Sequence, residues 1–184
     1  MALVDKTDWA GFEMALAAWL TAATGLTGKI RQKDQEAGSP AKPYMTFKMK
    51  AGGREGLDAE LRVYNGTTTR YDVVTSGPRR LVVEIAAYTE PPTSGIIDAR
   101  EYVMRALNSL QSPSIKTLFA NAGLSFMKSL SDAMDVSEQL GDRWERRVQA
   151  DLEFGYTAAF IDTSTADTGI TPISTADRTI VIEA

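Results

Sequence analysis

Apolar residues recur at intervals of three and four over residues 8–23, where Trp9, Phe12, Leu16, Trp19, Leu20 and Ala23 share one face. The spacing predicts an amphipathic helix, with Thr7 placed as its N-cap and Gly25 just past its end. A core-facing stripe accounts for its two tryptophans better than a binding surface does. After a short strand over 29–33 and a Gly/Ser/Pro-rich loop over 37–43, the period drops to two. Met45, Phe47 and Met49 alternate with Thr46, Lys48 and Lys50, the signature of a half-buried strand. Gly52, Gly53 and Gly56 predict a mobile loop. The β-branched run over 61–76 centres on Asn65-Gly66, a strong hairpin signal. Leu81, Val83, Ile85 and Ala87 form a further alternating strand between Pro78 and the Pro91-Pro92 stop.

The helical period then returns. Ile96, Ala99, Val103, Ala106, Leu107 and Leu110 predict a helix beginning near Ser94, and Ser112-Pro113 opens a shorter one with Ile115, Leu118, Phe119 and Ala122, closed by Gly123. A strand-like stretch over 124–130 and an acidic linker lead to the longest alternation in the chain. From Trp144 to Tyr156, Trp144, Arg146, Val148, Ala150, Leu152, Phe154 and Tyr156 point one way and Glu145, Arg147, Gln149, Asp151 and Glu153 the other. It reads as a central strand with one buried side. The chain from Asp162 to Asp177 is rich in Thr, Ser, Ala and Asp, and Thr179-Ile180-Val181-Ile182 follows it as a β-prone tetrad. Such a tetrad is a liability as a free edge and is expected to add a strand to its own or a neighbouring sheet. The order of elements predicts an α+β fold: a mainly antiparallel sheet with two to three helices packed on one face and an extended C-terminal arm. Residues 1–161 are expected to form one domain and 162–184 the arm.

Composition removes function classes rather than adding them. With 184 residues, 43% apolar and 24% charged, the chain is long enough for a sizeable core. It has no cysteine and no histidine. Disulfides, thiolate catalysis, sulfur-based zinc sites, Ser-His-Asp triads and histidine metal sites are therefore closed to it. A net charge of −4 argues against a sequence-reading nucleic-acid protein. The local excess of Lys29, Arg31, Lys33, Lys42, Lys48, Lys50 and Arg54 reads as a solvated sheet face before it reads as a phosphate-binding patch. Asp5, Asp8 and Glu13 beside Lys6 do not make a secretory signal, and the longest uncharged run, 15 residues over 14–28, is too short to span a bilayer. A soluble protein made in the cytoplasm is expected.

Motifs for chemistry are weak. Gly28-Lys29 lacks the first glycine and the hydroxyl residue of a phosphate-binding loop. Ser125 and Lys128 have the spacing of a serine nucleophile and lysine base, but so do Ser39 and Lys42, and the partner motifs are absent. Asp132, Asp135, Glu138 and Asp142 lack calcium-loop spacing and read as a solvated linker. No catalytic, metal or cofactor site is expected.

Three segments taken together carry a resemblance: Pro43-Tyr44-Met45-Thr46, Ser76-Gly77-Pro78-Arg79-Arg80-Leu81, and the strand from Arg143 to Tyr156. In that order, between Leu26 and about Gly169, the chain resembles the neck or tail terminator proteins of tailed bacteriophages. The resemblance implies an α+β subunit of a ring, commonly of six, that caps the tail tube or sheath and joins it to the neck in the virion. It implies homo-oligomer, tail tube, sheath and neck connector partners, DNA passing without sequence-specific binding, no membrane and no enzymatic activity. A neck or head-completion adaptor that binds the portal and contacts DNA through residues 29–54 is the alternative. Arg143, Trp144, Arg146, Arg147, Arg79, Arg80, Ile180, Val181 and Ile182 are the residues expected to meet neighbouring subunits. Intramolecular ion pairing on a solvated face is the competing reading for the arginines. The Ser/Thr/Ala-rich arm extends beyond the family's pattern.

Overall fold

A computed structural model describes residues 3–33, 40–65, 70–91, 97–140 and 143–162. In chain order these form β1 (Leu3–Asp5), α1 (Trp9–Thr24), β2 (Ile30–Gln32), β3 (Tyr44–Arg54), β4 (Ala59–Asn65), β5 (Arg70–Thr89), α2 (Ala99–Ser109), α3 (Pro113–Asn121), β6 (Leu124–Ser129), β7 (Met134–Asp135), β8 (Glu138–Leu140) and β9 (Arg143–Asp162). The strands make a mainly antiparallel sheet whose main path runs β1-β9-β5-β3-β2, with only β2 and β3 parallel. The three helices pack on one face, giving the α+β architecture expected.

Two strands of 20 residues each organise everything else. β5 and β9 pair antiparallel without a register shift from Val73↔Asp162 to Thr89↔Arg146. Along one edge of this ribbon β3 pairs with β5 as far as Arg79, and β4 takes over from Ser76. Along the other edge β8, β7, β6 and β1 follow one another on β9. The alternation of β9 places Val148, Ala150, Leu152 and Phe154, all fully buried, against the helices. Leu81, Val83, Ile85 and Ala87 of β5 share that side, as do Met45 and Phe47 of β3.

Edge-to-face rings lock the helices to the sheet. Trp19 of α1 lies 5.5 Å from Phe119 of α3, and Phe119 lies 5.1 Å from Phe154 of β9. Burying an indole requires a partner for its N–H, and Trp19 Nε1 donates to Ser109 Oγ of α2 at 2.8 Å. Trp9 departs from the predicted stripe: it is 39% exposed at the rim, packing edge-on against Phe12 and Tyr156.

Several predicted boundaries move. α1 is capped by Asp8, whose Oδ1 accepts from Gly11 N at 2.9 Å, while Thr7 precedes the cap; Gly25 ends the helix at φ +74°, as expected. Gly52 and Gly53 are not a loop, because pairing with β5 carries β3 through them with a bulge. The expected break at Pro78 does not occur, and β5 runs straight through it. Pro78 carries no N–H, and its carbonyl accepts from Glu55 N at 3.1 Å on the edge where β3 hands over to β4. The missing donor thus faces a gap between two partner strands rather than a ladder. α2 starts at Ala99, not near Ser94; Ser94 and Ile96 lie outside the described residues. The acidic linker contains two short strands, β7 and β8, held by β9. The hairpin around Asn65-Gly66 is present in its arms, with Asn65 paired to Arg70, and its tip lies outside the described residues. The expectations for residues 163–184, Ile180, Val181 and Ile182 included, also lie outside them.

Candidate functional site

The sheet face away from the helices carries the charge of the alternating strands. Glu84 of β5 sits in register with Lys48 of β3 and Asp151 of β9. Only 7% of it is exposed, and its carboxylate accepts from Lys33 Nζ at 2.7 Å and Lys50 Nζ at 2.8 Å, with Arg147 at 3.5 Å. Burial pushes this carboxyl up, but the two ammonium groups outweigh it and hold it at about 2. Lys50 also reaches Asp151 at 3.4 Å, and hydrogen bonding to Glu84 raises its own affinity for a proton. The belt continues through Arg80, which bridges Glu55 at 2.6 Å and Glu153 at 3.6 Å. At the other end Lys42 pairs with Glu145 at 2.9 Å. Lys33, Lys42, Lys50 and Arg54, the core of the basic segment, therefore each face a carboxylate.

The three segments singled out in the sequence meet on this face. Tyr44 stacks on Tyr88 with centroids 4.6 Å apart, and the Arg147 guanidinium lies 5.4 Å from the Tyr88 ring. Further along the ribbon Arg80, in register with Gly155, stays on this face, while Arg79, in register with Tyr156, lies on the helix side, where Tyr156 packs against Phe12. Arg79 makes a fork with Asp58, Nη1 to Oδ1 at 2.6 Å and Nη2 to Oδ2 at 2.9 Å, which holds that carboxyl below its usual range. A side chain at Gly77 would run into the Asp58 carboxylate, so the glycine makes room for the fork. Together Pro78 O, Arg79 and Arg80 hold Glu55 and Asp58, the loop that turns β3 into β4.

The family model described as phage neck terminator protein matches residues 11–182. The chain belongs to that family. No curated protein matches it significantly. A phage neck terminator is a structural protein of the neck, located in the tail and neck region of the virion, where it works against other tail or neck proteins. The match runs past Gly169, where the resemblance stopped, as far as residue 182.

In this neck terminator the arginines expected at an interface all lie in β5 or β9. Arg146 bridges Asp98, the N-cap of α2, at 3.0 Å and Asp135 of β7 at 3.1 Å. Arg147 pairs with Glu84, Gln149 and Tyr88, Arg79 with Asp58, and Arg80 with Glu55 and Glu153. Trp144 is 57% exposed at the start of β9, paired with Gln139 of β8, and Arg143 pairs with Leu140. Ser125 and Lys128 stand on β6, where the Lys128 ammonium is 4.0 Å from Glu153. Asp135 accepts from the backbone and hydroxyl of Ser137, and no group of three or more carboxylates suited to a metal forms among the described residues. No helix among them is long and apolar enough to cross a membrane.

Glu84, Asp58 and the Tyr44-Tyr88 stack were not anticipated. The signal for Glu84 is a lone acid on the polar side of the strand from Leu81 to Ala87, with lysines on the polar side of the strand from Met45 to Met49. For Asp58 the local signal is Arg54 four residues before it, whereas its fork partner Arg79 lies 21 residues away.

Proposed function

We propose that this neck terminator is a tail terminator: a ring subunit, six to a ring, that seats on the head-proximal end of the tail tube or sheath. It stops further addition of tail subunits and joins the tail to the neck connector, and DNA passes through its lumen without sequence being read. Residues 1–161 are the ring-forming body and 162–184 the arm. The mechanism is surface complementarity, with no bond made or broken.

The observation that carries this reading is the placement of exposed apolar side chains at the two ends of the β5/β9 ribbon. Trp144, 57% exposed, stands at the start of β9, while Leu61 and Val63, 55% and 50% exposed, stand on β4 beside its end. A closed ring needs different patches on each subunit, so that a neighbour is met at either end. Between them the ion pairs are internally matched, leaving a face of mixed sign that suits specific register over bulk attraction.

Mass in solution combined with electron micrographs of tails assembled with and without the protein tests the proposal. The expected result is a ring of about six subunits, and overlong or unjoined tails in its absence. A monomeric protein, or tails of normal length and attachment without it, overturns the reading. Salt-dependent DNA binding abolished by Lys48→Ala and Lys50→Ala would instead favour the adaptor.

A further inference from the structure

Past the charged belt the same sheet face carries an apolar row, beside Asp72, which stands in register with Val63. Leu61, Val74 and Ile161 stand in one row across β4, β5 and β9, each directly in register with the next. Val63 flanks the row on the β4 side and Ala159 on the β9 side, and Val74 and Ile161 are only half-buried. The helices lie on the opposite face, so among the described residues nothing covers this row.

β4 also leaves a long open edge among those residues. It pairs with β5 alone over seven residues, Ala59–Asn65, without a proline or a bulge. The other outer edges are blunted: β1, β2 and β8 have three residues each, β7 has two, β6 is bulged and carries Lys128, and β3 beyond its pairing with β2 carries Lys48 and Lys50 and a bulge between Ala51 and Arg54. A straight edge flanked by exposed Leu and Val is a template for another strand.

The chain itself supplies a fitting strand. β9 ends at Asp162 beside this row, and about 16 residues later comes Thr179-Ile180-Val181-Ile182, whose alternation puts Ile180 and Ile182 on one side. We propose that residues 179–183 of a second copy of this chain add as a strand to the outer edge of β4, laying Ile180 and Ile182 beside Leu61 and Val63. This rests on the ring reading and names the contact that closes it.

Linker length selects the second copy over the chain's own edge. From β9 to the outer side of β4 is a crossing of β5 and β4, roughly 10–15 Å at the usual strand spacing. The intervening residues reach roughly 50 Å when extended, several times that crossing. Sixteen residues is longer than the connections usual between neighbouring elements of a compact domain. Threonine, serine and Pro172 in the linker suit an extended tether.

The absence of native cysteine makes the test clean. Full-length chains bearing Leu61→Cys or Val63→Cys are co-expressed with differently tagged full-length chains bearing Ile180→Cys or Ile182→Cys, then oxidised. At least one combination is expected to give a disulfide-linked heterodimer in high yield, while Glu60→Cys, on the other side of β4, gives none with the same partners. Ile180→Lys with Ile182→Lys is expected to weaken assembly at least tenfold and leave the melting of the isolated subunit unchanged. Ring-sized mass with no coupling overturns the arm contact and leaves the ring standing. In a chain given both cysteines, coupling within that chain with none between differently tagged chains overturns the exchange between copies. Monomeric mass without coupling overturns both readings.

Discussion

Glu84 and Asp151 stand directly opposite one another on the two central strands, and one ammonium group serves both, Lys50 Nζ lying 2.8 Å from the first and 3.4 Å from the second. Like charges in facing positions destabilise a sheet unless a cation bridges them. Here Lys33 and Arg147 add to the bridge on Glu84, so the buried carboxylate depends on three cations from three strands or their flanks.

A pH dependence follows from this arrangement. The Glu84 carboxyl is held at about 2 in the folded protein, below its ordinary value of 4.5. A folded value below the unfolded one means that the ion pairs stabilise fully above about pH 4.5 and that this contribution is lost as pH falls toward 2. The expected loss is about 3 kcal/mol. Urea unfolding between pH 6 and 2.5 measures it. Glu84→Gln should flatten the curve in that window and cost about 2–4 kcal/mol near neutrality, because Lys33, Lys50 and Arg147 lose their common partner.

Core and rim aromatics should separate cleanly. Phe154 is fully buried among Trp19, Phe119 and Phe126. Phe154→Ala should cost about 3–5 kcal/mol of folding stability. Trp144→Ala, at a position 57% exposed, should change stability by no more than about 0.5 kcal/mol and show its effect in subunit assembly alone. Denaturation midpoints alongside sedimentation distinguish the two; a large loss of stability from Trp144→Ala would show that its ring belongs to the core.

The corner at Gly77 should behave as a unit. Arg79→Ala and Asp58→Ala each break the same fork, so the double variant should be no less stable than either single one. Gly77→Val, which pushes a side chain into the Asp58 carboxylate, should raise amide exchange over residues 54–59. Exchange unchanged there would mean that the loop is held by the backbone alone.

Arg146 joins three elements, and its removal should be felt in two of them. Arg146→Ala is expected to speed amide exchange in the first turn of α2 and across Met134–Asp135, with the central ladder of β5 and β9 unaffected. Equal exchange in wild type and variant would mean that β9 holds β7 without this ion pair.

What could be read from the sequence depended on whether a strand has one buried side. β9 declared itself because Val148, Ala150, Leu152 and Phe154 are all turned into the core. α1 was legible for the same reason. β5 was not legible as one strand, since Gly77-Pro78 is locally a stop and only the handover from β3 to β4 makes a proline tolerable there. Tertiary pairing likewise overrides Gly52-Gly53 in β3 and creates β7 and β8 from segments too short to show a period. The family segments were visible as strings of residues, but their meaning as a clamp, a stack and a shared charge belt is a matter of partners distant in sequence.

The unbroken pairing of β5 with β9 has a mechanical consequence. Two strands of 20 residues extend for roughly 65 Å, from the helix-backed core to the bare apolar row. A pull along their axis loads all the rungs at once, in shear, whereas a pull across it would peel them one at a time. A subunit gripped at the row by a neighbour would therefore carry tension along its stiffest direction and deliver it to the Trp19, Phe119 and Phe154 cluster.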